Sequence, residues 1–287
     1  MANSNRKISD VLARAKRELS QKGVSNSGLD ALVLLAHTLS FSKEQIVFNP
    51  DFELSESQEE NFFKAVARRS SREPVSHIIG KREFFGRDFI VNANVLDPRP
   101  DSEILIEAVL KTFPHHIKDL KILELGVGSG CLIITLLLAF EFAQGKALDI
   151  SCAALETARK NAEIHQVSKR LELCESNKFS ALNDAEKFDL LISNPPYISK
   201  ADIEKLEPEV KNYEPILALD GGFDGLDFYR HIAQEAKKFL KPNGRIFLEI
   251  GYGQVDEVSE IFAKHNFLLE AIIPDLAGVQ RVMKFKY

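Results

Sequence analysis

Ile122-Leu-Glu-Leu-Gly-Val-Gly-Ser-Gly130 runs an apolar segment into three glycines at alternate positions, after which Cys131-Leu-Ile-Ile134 resumes an apolar pattern. A strand that stops in such a loop before a helix is the opening unit of an alternating β/α chain. Gly126, Gly128 and Gly130 let a backbone turn sharply and approach a ligand closely. Glycines that merely pack a strand against a helix are the competing reading. A dinucleotide fingerprint would require glycine at position 131, where this chain has Cys131. The spacing favours a nucleoside cofactor without a pyrophosphate. The next apolar run ends at Asp149, where a carboxylate can take ribose hydroxyls, and Glu124 is placed to help hold an ammonium group.

Outward from this loop the pattern alternates. Strands are expected near 121–125, 146–150, 170–174, 187–193, 244–250, 267–273 and 280–286, with helices near 129–140, 151–165, 226–240 and 253–265. This is an α/β, doubly wound, mostly parallel seven-stranded sheet with helices on both faces. Asn243-Gly244 reads as the turn into the fifth strand. In such a sheet the first and fourth strands are neighbours across the topological switch point, where ligands bind at the carboxyl ends.

The fourth strand is Phe188-Asp-Leu-Leu-Ile192, and Ser-Asn-Pro-Pro-Tyr197 follows it. Pro195 and Pro196 carry no N–H, so the ladder ends there in a stiff elbow. The elbow offers the Asn194 amide, backbone carbonyls free of a ladder, and the Tyr197 ring. The Asn194 oxygen and the Pro195 carbonyl can each accept one N–H of a planar –NH2 group, and Tyr197 can lie against its face. A Pro-Pro turn that only ends a strand is the alternative. Glycine loop, Asp149 and elbow together are more specific than any one alone.

Before the sheet, residues 8–22, 27–40 and about 55–71 carry apolar side chains at helical spacing, and Ser42 with Gln45 has capping-box spacing. The expected domains are a helical bundle over 1–73, a β-hairpin linker over 74–97 with its turn at Gly86, and the α/β domain over 98–287. Between two prolines, Arg99 sits on a rigid lip. Residues 199–225, acidic and ending in glycines, read as a lid or partner-contacting loop, or as a packed surface excursion.

The longest apolar run, Cys131 to Phe140, is far short of the ~18 residues a membrane span needs. The polar start, Met1 to Lys7, shows no secretory signal, so a cytoplasmic location is expected. Three cysteines without a Cys-x-x-Cys pair fit a reducing compartment and argue against a zinc site, and the histidines form no ligand pattern. A net charge of −5 argues against a broad nucleic-acid footprint.

On these residues the chain resembles the release-factor glutamine N5-methyltransferases. The stretches that carry the resemblance are Glu73-Pro-Val-Ser-His-Ile-Ile-Gly80, Arg82-Glu-Phe-Phe85, Pro98-Arg-Pro-Asp-Ser-Glu103, Leu123 to Gly130, Asn194 to Ile198 and Asp275-Leu-Ala-Gly-Val-Gln-Arg281. The resemblance covers nearly the whole length and implies a class I methyltransferase-like fold using S-adenosylmethionine. It implies that Gly126, Val127, Gly128, Ser129, Gly130, Asp149, Asn177, Lys178 and Asn194 bind that cofactor. Asn194, Pro195, Pro196 and Tyr197 would hold the glutamine of the Gly-Gly-Gln motif of a release factor, with Asn194, Pro195 and Tyr197 catalytic. The helical domain would recognise the release factor, with no metal, membrane or nucleic acid involved and the enzyme a monomer. Two departures stand out. Asn177-Lys178 replaces an acidic residue and an aromatic frequent in relatives, and Val127 replaces a frequent threonine. The runner-up is a nucleic-acid amino-methyltransferase acting on adenine N6 or guanine N2. A third reading is a cofactor-binding regulatory module without catalysis.

Overall fold

The structure, a computed structural model, describes residues 6–114 and 116–287 and groups them into two units. Among the described residues the helical unit comprises 6–80 together with 208–213. Its helices are α1 (Ile8–Gln21), α2 (Ser27–Leu39), α3 (Lys43–Phe48), α4 (Glu56–Ser70) and α5 (Val75–Ile79). Ile8, Val11, Ala15, Leu19, Leu34, Leu35, Phe62 and Val66 form its core, the inward stripes read from helical spacing. Ser42 and Ser55 each make a capping box, with Gln45 and Gln58 respectively. The five-residue α5 escapes a periodicity search because one turn carries no repeat.

The second unit, residues 81–207 and 214–287, opens with a hairpin of β1 (Lys81–Phe84) and β2 (Arg87–Ile90). Its two-residue turn places both Phe85 and Gly86 at positive φ, 51° and 72°, the twist that hairpin strands favour. Then follow α6 (Glu103–Thr112), β3 (Lys121–Leu125), α7 (Cys131–Ala139), β4 (Gln144–Asp149), α8 (Cys152–Ile164), β5 (Leu171–Glu175) and β6 (Phe188–Ser193). After α9 (Lys200–Ile203), the chain contributes α10 (Pro208–Tyr213) to the helical unit. It returns for α11 (Asp227–Glu235), β7 (Leu240–Glu249), α12 (Val255–Lys264), β8 (Leu268–Pro274) and β9 (Gln280–Lys286).

The seven strands run in the order β5-β4-β3-β6-β7-β9-β8, parallel through β7, with β9 antiparallel to both its neighbours. Alternation decides the two cores. Ile122, Leu190, Ile192 and Phe247 face α6, α7 and α8; Leu123, Leu125, Leu191, Ile246 and Leu248 face α11 and α12. Asn243-Gly244 lies inside β7, where the register with β6 slips between Phe188 and Leu190, rather than before the strand. Residues 199–225 are not one open loop: they hold α9, α10 and a 3₁₀ turn at Ile216–Ala218.

Asn161 ties the hairpin to the glycine loop. Its fully buried side chain accepts from Ile90 N (2.7 Å) and donates to Ile90 O (3.0 Å) and Ser129 O (2.8 Å). Asn161→Ala leaves buried backbone groups unpaired and should cost about 2–3 kcal/mol. The expected result is a lower urea midpoint for the α/β unit with an unchanged slope.

Candidate active site

The carboxyl ends of β3, β4 and β6 surround a cleft of about 450 Å³, within the range that small-molecule sites occupy. Gly126, Val127, Gly128, Ser129, Asp149, Asn177, Lys178, Asn194 and Pro196 line it, as do Arg99, Ser102 and Glu124. Three residues expected there sit elsewhere. Gly130, at φ +81°, begins α7 against α8; a Cβ on it would lie 2.9 Å from Ile134 Cδ1 and 3.3 Å from Ala158 Cβ. It is a packing glycine. Pro195 is buried beneath the elbow. Tyr197 turns into the core beside α11, and its hydroxyl donates to Glu249 Oε1 at 3.3 Å, so its ring does not line the cleft as the sequence suggested.

The loop earns its glycines at two positions. Gly126 and Gly128 have φ of +74° and +53°, and a Cβ built on either meets nothing within 4 Å. Their bare faces therefore open onto the cleft. Asp149 holds the loop from below: Oδ2 accepts from Gly128 N (3.0 Å) and Oδ1 from Ser151 N (2.9 Å). Each oxygen keeps a further lone pair for a ligand hydroxyl. Val127 is buried in the core, so a hydroxyl at this position would enter apolar surroundings. Lys178, at φ +55°, carries its ammonium 5.5 Å from the Phe228 ring, and both residues line the cleft.

Glu124 is buried on β3 and accepts from Ile133 N at 3.1 Å, capping the N-terminal turn of α7 from the sheet. Burial pushes its carboxyl well above the usual range, the Ile133 bond opposing and the charge of Asp149 adding. Arg99 donates to the buried Glu214 at 2.6 Å, and burial raises Glu214 in spite of that guanidinium. Just after Glu214, Pro215, Leu217 and Ala218 line the cleft.

Sequence reasoning missed Ser102 and Glu249. Asn194 Nδ2 donates to Ser102 Oγ (3.1 Å), and Ser102 Oγ donates in a short hydrogen bond to Glu249 Oε2. A signal existed for Glu249: like Glu124, it is a lone carboxylate in an apolar strand, Ile246-Phe-Leu-Glu-Ile250. For Ser102 the signal was its place in Pro98-Arg-Pro-Asp-Ser-Glu103, a stretch that carries the family resemblance. No cluster among the described residues could hold a metal ion, and no helix among them is long and apolar enough to cross a membrane.

A sheet of this order, with a glycine loop after the first strand and an acid after the second, defines a class I methyltransferase. The Methyltransferase small domain model matches residues 97–208, and the PrmC N-terminal domain model matches 10–80. A methyltransferase from Pyrococcus furiosus shares the fold at a TM-score of 0.52 and 19% identity, covering 71% of this chain and 90% of that one. The release factor glutamine methyltransferase of Agrobacterium fabrum is 38% identical over 97% of each chain. The chain belongs to the release factor glutamine methyltransferase family. A bifunctional methyltransferase of Rickettsia bellii is 41% identical over 96% of this chain, which spans only 54% of that relative's length.

The domain and fold imply a cofactor of the S-adenosylmethionine type, and the bare glycine faces, the lone pairs of Asp149 and the cleft volume fit one. Gly128→Ala puts a methyl group into that space at positive φ. We expect a folding cost of about 1–2 kcal/mol and loss of measurable S-adenosylhomocysteine binding by calorimetry; unchanged affinity would place the ligand off the loop.

Proposed function

We propose that this chain transfers a methyl group from S-adenosylmethionine to the side-chain amide nitrogen of the glutamine in the Gly-Gly-Gln motif of peptide chain release factors. The observation that carries this reading is the Asn194 elbow opening into the same cleft as the glycine loop, in a chain of this family. Gly126, Val127, Gly128 and Ser129 cradle the cofactor, Asp149 takes its ribose, and Asn177 and Lys178 flank its base. Gly130 supports the loop from behind. When bound, the cofactor supplies a methyl group made electrophilic by a sulfonium charge.

The chain supplies orientation. An amide nitrogen is a weak nucleophile because its lone pair is delocalised into the carbonyl. Asn194 Oδ1 accepts one N–H of the glutamine, with Pro195 and Pro196 stiffening the elbow. That acceptor fixes the nitrogen's direction and favours the positive charge that builds as it attacks. Tyr197 acts from beneath, holding the elbow rather than touching the amide. The enzyme works in the cytoplasm as a monomer.

Labelled S-adenosylmethionine offered with release factors, ribosomal RNA and DNA tests the reading. Label is expected on the release-factor glutamine, and label on a base amine would favour the nucleic-acid alternative. Asn194→Ala should lower the single-turnover rate by roughly 10²–10³; a full rate would reduce the elbow to a strand-ending turn.

The helical unit serves to recognise the release factor in this proposal. It exposes Phe48 (80%) and Val47 (61%), apolar side chains at the end of α3 that a partner would cover. Val47→Ser with Phe48→Ser should raise the release-factor KM about tenfold or more, the cost of losing two buried apolar contacts, with cofactor affinity unchanged. An unchanged KM would remove α3 from the interface.

A further inference from the structure

We propose that Glu249 and Ser102 are positioning residues that decide which end of the Asn194 amide is offered to the methyl acceptor. This rests on the methyl-transfer reading above. Asn194 stands one residue beyond Ser193, which pairs with Leu248, so strand register brings it beside Glu249. Ser102 arrives from the turn that opens α6. A serine there ordinarily caps the helix, yet this side chain makes no capping bond. Its hydroxyl is committed to Glu249 and Asn194 instead.

The direction of the chain of bonds follows from donor and acceptor capacity. An ionised Glu249 only accepts, so the single Ser102 proton must point to it. Ser102 then has only lone pairs for Asn194 and selects the Nδ2 end. Oδ1 is thereby the atom left to receive an N–H from the substrate. Glu249 Oε1 accepts from Tyr197 as well, so the same carboxylate holds two residues of the elbow.

Protonating Glu249 reverses the logic. A carboxylic acid can donate to Ser102, whose own proton then turns to Asn194 Oδ1 and flips the amide. Burial pushes Glu249 up to about 7, opposed by its bonds to Ser102 and Tyr197 and by Arg281 on β9, and reinforced by Asp101. Tyr229 on α11 and Cys131 on α7 are further titratable groups that feel its charge. Both are held neutral by burial, Cys131 at about 12. The relay is therefore set above pH ~7 and lost below it.

The test compares the wild type with Ser102→Ala, Ser102→Thr and Glu249→Gln across pH 5.5–9, reading kcat, both KM values and thermal stability. A second readout, independent of substrate, is the Asn194 side-chain amide signal in ¹⁵N-labelled protein, assigned by its loss in Asn194→Ala. Ser102→Ala should lower kcat about 10- to 100-fold through misplacement alone, with cofactor affinity kept. Ser102→Thr, which retains the hydroxyl, should recover most of that rate. Wild-type kcat should fall about tenfold per pH unit below ~7, and Glu249→Gln should lack this acid limb. The Asn194 signal should titrate in step in the wild type and move in Ser102→Ala. A Ser102→Ala enzyme with wild-type kcat, or a Ser102→Thr enzyme equally impaired, overturns the proposal. If Glu249→Gln does not fold, the Ser102 pair decides. If the wild type methylates no release factor, the functional reading fails alone, and an Asn194 signal insensitive to pH and to Ser102→Ala is what would refute the relay.

Discussion

The parallel pairing of Ile122-Leu-Glu124 with Leu190-Leu-Ile192 is the constraint on which the cleft depends. Both strands end at the same edge of the sheet, so the turn after each must open into the same space. One turn carries the glycines and the other carries Asn-Pro-Pro. Strand alternation then does the fine placement: Glu124 lies on the face of Ile122, Asn194 on that of Ile192, and Glu249 on that of Phe247. A slip of one residue in any of these strands would send its polar group to the opposite core.

Three of the buried carboxylates lie near this edge and each is held differently, Glu214 with one oxygen left without a hydrogen bond. Glu124 caps a helix, Glu214 pairs with Arg99, and Glu249 gathers two hydroxyls. Burial raises all three above the usual carboxylate range. A folded pKa above the unfolded one means that the native state holds the proton more tightly. For Glu249 the stabilising contribution is present below pH ~4.5 and is lost as pH rises through about 7. The site is therefore built against the stability of the α/β unit in the range where an ionised Glu249 orders Asn194. Such opposition is common where function requires strain.

The helical unit is held by ordinary apolar packing and by ion pairs, of which one junction spans the longest sequence range. Arg69, almost fully buried, donates to Asp30 (2.7 Å) and Glu209 (2.9 Å), and Arg72 meets both oxygens of Glu209 at 2.6 Å. A planar guanidinium matches a carboxylate in this two-point fashion, which gives the junction geometry as well as charge. It recruits α10 into the helical unit from a segment 137 residues away. Five residues after Glu209, Glu214 pairs with Arg99. A single stretch of chain thus serves the helical unit and the lip of the cleft.

Local sequence determined every strand of the sheet, the long helices, the Ser42 cap and the two turns that meet in the cleft. Those features are written in periods of 2 and 3.6, in proline's missing N–H and in glycine's freedom at positive φ, all of which act within a few residues. The same reasoning put Tyr197 on the substrate and Gly130 on the cofactor, and the fold placed the first under the elbow and the second against α8. It could not see that α10 joins the helical unit, or that Ser102 meets Asn194 across 92 positions and Glu249 across 147. Which donor finds which buried acceptor depends on strand order, register and desolvation. Only the folded chain has those properties, because they belong to neighbours in space that have no fixed separation in sequence.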